Sequence, residues 1–109
     1  MAVIRKVLGQ LNPNITTLTD LYTVPTATSA VVSTITICNR SATSTSFRIS
    51  VAIAGTADNA IQYIAYDAPI DGNDTISLTL GITLAATDKI RVYATLATLT
   101  FNAFGMEVA

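Results

Sequence analysis

Residues 45–54 read TSFRISVAIA, and the alternation in that stretch decides the fold class. Successive side chains of a strand point to opposite sides, so Phe47, Ile49, Val51 and Ile53 share one face and Ser46, Arg48, Ser50 and Ala52 the other. This is a half-buried strand with Arg48 directed at solvent or at an interface. Working outward, residues 29–39 form the preceding strand, with Val31, Ile35 and Ile37 on one face and Val32, Thr34, Thr36 and Cys38 on a semi-apolar second face. The polar Asn39-Arg40-Ser41-Ala42-Thr43 between them reads as a hairpin connection. Downstream, residues 60–67 place Ile61, Tyr63 and Ala65 opposite Gln62, Ile64 and Tyr66. Residues 75–80 alternate Ile76, Leu78 and Leu80 with hydroxyl residues, and Gly81 marks a bulge or bend before a short strand at 82–84. Residues 89–95 turn Ile90, Val92 and Ala94 inward and Arg91 and Tyr93 outward. Residues 98–104 turn Leu99, Phe101 and Ala103 inward. A short strand over 20–24 stops at Pro25, which cannot donate to a ladder.

About seven to eight strands separated by turn signals, with no useful helical periodicity, predict an all-β chain folded as a single antiparallel β-sandwich of jelly-roll or immunoglobulin-like kind. Composition agrees, since Thr, Ile and Val make up 38 of the 109 residues and β-branched side chains fit a pleated sheet. The length allows one domain. Residues 15–109 are expected to form the sandwich. Residues 1–14 fall outside its rhythm and read either as a first edge strand or as an arm that pairs with a neighbouring subunit.

Several functions are excluded by what the chain lacks. It has no His, no Trp and a lone Cys38, which removes His-dependent triads, His or multi-Cys zinc sites and an internal disulfide. The net charge of -1 argues against nucleic-acid binding. No apolar run reaches the roughly 20 residues that span a bilayer, and Arg5 and Lys6 interrupt the N-terminal apolar stretch, so neither membrane insertion nor secretion is expected. Asp71, Asn73 and Asp74 invite a calcium reading but are better explained as a β-turn. Asp58 and Asn59 likewise read as turn residues, and Cys38 as a buried structural thiol with no base to activate it. The sequons at Asn14, Asn39 and Asn73 are chance in a Thr-rich chain. Neither a catalytic residue, a metal site nor a cofactor is predicted.

The surface is the unusual feature. Only 12% of residues are charged, so strand positions facing away from the core must include many weakly polar and apolar side chains. Such patches tend to be interfaces, and Tyr is enriched in interface cores. The interface candidates are Val3, Ile4, Arg5, Lys6, Val7 and Leu8 of the N-terminal segment, with Tyr22, Arg48, Tyr66 and Tyr93 on presumed outer strand faces. A homo-oligomeric subunit is the expectation; a trimer is one order open to it, and the sequence does not set the number.

The stretches LYTVPTATSAVVSTITICNRSATSTSFRISVAIAG (21–55) and DAPIDGNDTISLTLGITLAATDKIRVYAT (67–95) resemble a family of small tailed-bacteriophage virion proteins. The matching pieces are Leu21 to Pro25, Ile35 to Ser41 with its C-N-R-S, Asn73 to Thr75, and Gly81 to Tyr93, spread over residues 21–105. The resemblance implies a non-enzymatic virion protein assembled in the host cytoplasm. Its expected role is a capsid decoration or cement subunit contacting the major capsid protein, other virion proteins or its own copies. The N-terminal segment would then lie across a neighbour by strand addition, and its removal would leave the sandwich folded. The alternative is a tail fibre or baseplate module that binds a host glycan receptor through Tyr63, Tyr66 and Asp67.

Overall fold

The computed structural model describes residues 2–109; Met1, the first residue of the N-terminal segment, lies outside them. Nine strands follow one another: β1 (Val3–Leu11), β2 (Thr19–Thr23), β3 (Ser29–Asn39), β4 (Thr45–Ala52), β5 (Tyr63–Ile70), β6 (Thr75–Leu78), β7 (Ile82–Leu84), β8 (Lys89–Ala94) and β9 (Leu99–Val108). They make two antiparallel sheets. The first runs β1-β9-β3-β6, with β7 beside β6 on the same edge of β3, and the second runs β2-β8-β4-β5. The pairs β1 with β9, β2 with β8, β3 with β6 and β7, and β4 with β5 are those of one long hairpin rolled up on itself. That is jelly-roll order, and it decides between the two sandwich types the sequence allowed. The sixth of the eight jelly-roll strands comes in two pieces because Gly81 sits between them at φ 64, a conformation that costs glycine little.

The inward residues of both sheets form one core, in which Phe47 meets Phe101 edge to face at 6.2 Å. The alternations predicted for β8 and β9 are the ones observed: Ile90, Val92, Ala94, Leu99, Phe101 and Ala103 are all buried. In β4, Phe47 and Ile49 are buried, but the strand ends at Ala52 and Ile53 begins a short 3-10 turn in which it is 73% exposed. Residues 60–62 form a second such turn, which leaves Ile61 90% exposed instead of inward.

Other departures come from β-bulges, where an extra residue in one strand reverses the alternation beyond it. In β3, Val32 lies opposite Gly105 and Thr34 opposite Phe104, so Ser33 is extra. Ala30 and Val32 therefore join Ile35 and Ile37 in the core, while Val31 faces out. In β1, Val7 pairs with Phe104 and Gly9 with Ala103, and the extra residue, Leu8, enters the core. In β2 the extra residue is Leu21, and Tyr22 pairs with the inward Ile90. Tyr22 is thus a core residue, not an outer-face one. Cys38 is half-buried on the outer face of the first sheet, between Thr75 and Thr100 across the ladder, and so is not the buried thiol expected.

Buried polar groups close the loops. Asn39 is nearly inaccessible, yet its amide donates to the carbonyls of Thr43 (2.9 Å) and Asp71 (3.2 Å), and its Oδ1 accepts from Ser41 N (3.0 Å) and Thr98 Oγ1 (3.2 Å). One side chain thereby ties together three loops at one end of the sandwich. Near the other end, Tyr22 Oη donates to Glu107 Oε2 at 2.6 Å and Lys6 Nζ donates to Oε1 at 3.2 Å. The Tyr22 bond, more than the Lys6 pair, holds the Glu107 carboxyl below its ordinary value of 4.5, although burial opposes it. Burial, and then Glu107, push the Tyr22 phenol up.

Two outcomes follow. A Cβ added at Gly105 would lie 2.0 Å from the Val31 carbonyl oxygen, within the central β3–β9 ladder. Gly105→Ala is expected to cost about 1–3 kcal/mol in urea unfolding, since backbone has to move to admit it. The folded protein binds fewer protons than the unfolded chain at Glu107, so this contact stabilises fully above about pH 4.5 and is lost as pH falls through the depressed native value. Glu107→Gln should flatten that part of the acid limb in thermal melts taken from pH 6 down to 2, while wild type falls more steeply.

Candidate functional site

The outer face of the second sheet carries a cluster built around Arg48 of β4. Its guanidinium lies 4.2 Å from the centre of the Tyr66 ring and 4.4 Å from that of Tyr93, its cross-strand neighbour on β8. Both distances are those of cation–π contacts. Arg48 Nε also donates to Asp67 Oδ1 at 2.7 Å, and Nη2 to Oδ2 at 3.4 Å. The hydrogen bond to Asp67 is the main reason the guanidinium is held above its ordinary pKa.

A bulge makes this meeting possible. Ile49 pairs with Ala65 and Phe47 with Ala68, so two residues of β5, Tyr66 and Asp67, stand opposite the single Arg48. Asp67 takes φ 49, the left-handed region that aspartate tolerates better than most residues. In a regular ladder one of the two side chains would point to the core.

Beside the cluster, Tyr63 meets Tyr66 edge to face at 5.0 Å and 89°. Burial, followed by the neighbouring Asp58 carboxylate, pushes the Tyr63 phenol up. Arg48, Asp58, Asn59, Ala60, Tyr63 and Tyr66 line an open cleft of about 550 Å³. One wall belongs to the connection between β4 and β5, and that connection is fastened at several points. Asp88 Oδ1 accepts from Ala54 N at 2.9 Å, and Arg91 donates to the carbonyls of Gly55 (3.0 Å) and Thr56 (2.7 Å). Gln62 Nε2 donates to Thr56 Oγ1 and the Ala57 carbonyl, and Asn59 Oδ1 accepts from Ile61 N.

Of the interface candidates, the structure brings together Arg48, Tyr66 and Tyr93, and it adds Tyr63 and Asp67 from the glycan alternative. Asp58 and Asn59, read from the sequence as turn residues only, also belong to the cleft. Their role depends on how the 53–62 connection folds back over β4, which alternation does not reveal. Tyr22 and Leu8 lie in the core instead of on an outer face. Asp71, Asn73 and Asp74 act as turn residues: Asn73 N donates to the Ser41 carbonyl at 2.7 Å and Asp74 Oδ1 accepts from Thr75 N at 2.8 Å.

The remaining candidates sit on β1, which is the edge strand of the first sheet and pairs with β9 along nearly its whole length. By register, Val3, Arg5 and Val7 share the outer face with Val108, Met106 and Phe104 of β9, and Val31 of β3 lies beside Met106. Val3, Val7 and Phe104 are exposed, and a shallow hollow of about 360 Å³ opens among Arg5, Lys6, Val31, Ser33, Phe104, Gly105 and Met106. Ile4 and Lys6 point to the other side, where Lys6 meets Glu107.

The two surfaces differ in chemistry. The first is mainly apolar; Arg5 is directed to it by register, and Lys6 also lines its hollow. The second offers aromatic faces, a guanidinium edge and carboxylates, which are means of recognition. No protein-family model and no curated protein matches the chain.

Proposed function

We propose that this chain is a non-enzymatic structural subunit of a tailed-phage virion, a decoration or cement protein that binds the head through subunit contacts. The observation that carries the reading is the apolar outer face of the first sheet, formed by Val3, Val7, Val31, Phe104 and Met106 next to a β1 edge whose far side has no strand against it among the described residues. Apolar surface left in water is a standing cost of about 25 cal/mol per Å², recovered when a partner covers it. An edge strand adds unpaired N–H and C=O groups that a neighbour's backbone satisfies. Arg5 on the same face favours docking on an acidic shell and sets orientation more than affinity. The resemblance of residues 21–105 to small virion proteins supports the same role. Jelly rolls also occur among viral capsid domains, a likeness of architecture that carries less weight than the surface. The partners are the major capsid protein or further copies of this chain.

The N-terminal segment takes part as a rim and not as a detachable arm. Leu8 sits in the core and Gly9 packs under the Leu21 carbonyl, so removing residues 1–10 would damage the sandwich itself. Substitutions on the outer face make the cleaner test. In purified particles with tails sheared from heads, the protein should travel with the heads at a copy number comparable to that of the major capsid protein. Val7→Asp and Phe104→Asp should each leave the thermal midpoint within a few degrees of wild type and abolish rebinding to stripped heads. Recovery with the tails at low copy number, or undiminished rebinding by both variants, would refute the proposal.

A further inference from the structure

The cleft on the second sheet has no part in that docking, and its chemistry points elsewhere. We propose that it is a binding site for a neutral pyranose ring, presented as one unit of an oligosaccharide. The inference stands whether or not the virion role does.

The aromatic component comes first. Tyr66 is 59% exposed although one side of its ring rests on Arg48, and Tyr63 stands perpendicular to it at 5.0 Å. The apolar C–H face of a pyranose needs such a ring, while its edge needs groups that both donate and accept. Those groups are present. Arg48 spends Nε and Nη2 on Asp67, and Nη1 has no hydrogen-bond partner among the described residues. Asp58 forms no ion pair among the described residues, and beside the Tyr63 phenol its carboxylate keeps further acceptor capacity; Asn59 uses only its Oδ1 in capping Ile61 N, leaving the amide nitrogen to donate. A guanidinium edge, a carboxylate and an amide thus converge on a cleft whose volume falls within the range of about 300–1,000 Å³ usual for ligand sites.

Charge selects among sugars. The cluster holds one cation, Arg48, against two carboxylates, Asp67 and Asp58, so an acidic sugar or a phosphate would meet net negative charge. A neutral ring does not. The groups are also held in place before any ligand arrives: the Asp67 bulge fixes Tyr66 and Arg48 relative to each other, and Asp88, Arg91 and Gln62 fasten the wall that carries Asp58 and Asn59. Pre-ordering of this kind lowers the entropy cost of binding a weakly held ligand. An extended proline-rich peptide is the other ligand that tyrosine-lined grooves accept. Its exposed carbonyls accept from a guanidinium, but polyproline has no donor to offer the two carboxylates, whereas a sugar hydroxyl serves both.

The test is saturation-transfer NMR on the whole protein with the methyl glycosides of glucose, galactose, mannose and N-acetylglucosamine, followed by calorimetric titration. Sialic acid, glucuronate and an octaproline peptide serve as comparators. At least one neutral glycoside should receive saturation on ring C–H protons. Tyr66→Ala and Asp58→Asn, both at exposed positions, should each weaken it by about tenfold or more, with the protein still folding cooperatively and the thermal midpoint lowered by at most several degrees. The proposal fails if no neutral glycoside binds, if only the acidic sugars or only the peptide bind, or if both variants bind as wild type does.

Discussion

An antiparallel ladder fixes which side of the sheet every residue faces, and only the insertion of an extra residue changes that assignment. Five register shifts do so in this sandwich. Two of them flank β9 at one level: β1 inserts Leu8 and β3 inserts Ser33 on either side of Phe104. The bulged β3 can close on β9 there because Gly105 lets the Val31 carbonyl approach where any side chain would collide. The insertions turn Leu8 in and set Val7 and Val31 outward beside Phe104 and Met106, which β9 places outside by its own alternation, and the insertion at Leu21 delivers Tyr22 to the same end of the core. The insertions in β5 do the reverse, sending both Tyr66 and Asp67 outward to Arg48. The closed end of the core, the apolar outer face and the cleft all rest on this one device.

Polar groups then hold what the bulges shape. Asn39 fastens three loops through four hydrogen bonds, and Asp88 accepts from Ala54 N and Ala85 N, joining the β4–β5 connection to the turn before β8. Each is a buried side chain with its capacity met, so neither carries the penalty of an unpaired polar group. Arg91 extends the same logic outward by bridging Asp20 to the carbonyls of Gly55 and Thr56. The cleft wall is therefore set by the core strands rather than by the loop's own preferences.

The regular strands were legible in the sequence because their alternation runs unbroken. Ile90, Val92 and Ala94, and Leu99, Phe101 and Ala103, needed nothing but period two. Arg48 and Tyr93 were placed outward by the same rule. The errors fall where a bulge or a short turn interrupts the period. Leu8 is itself an inserted residue, Tyr22 follows one directly, Val31 lies two positions before one, and Ile53 and Ile61 sit in 3-10 turns. A bulge in β3 or β5 leaves no local mark when the inserted residue is a serine, an isoleucine or an aspartate instead of a glycine. The cleft was only half visible for the same reason: Tyr63, Tyr66 and Asp67 are close in sequence, but their meeting with Arg48 needs the register of β5, and Asp58 and Asn59 need the fold of the connection.

The two surfaces lie on opposite sides of a sandwich, so a subunit seated by its first sheet would present the cleft away from its support. The distribution of chromophores gives that cleft a further property. The chain has no Trp and four Tyr, of which Tyr63, Tyr66 and Tyr93 surround Arg48 while Tyr22 is locked onto Glu107 in the interior. Near-ultraviolet absorption and emission from this molecule thus originate mainly on one face, which makes the cleft its own optical reporter without any label.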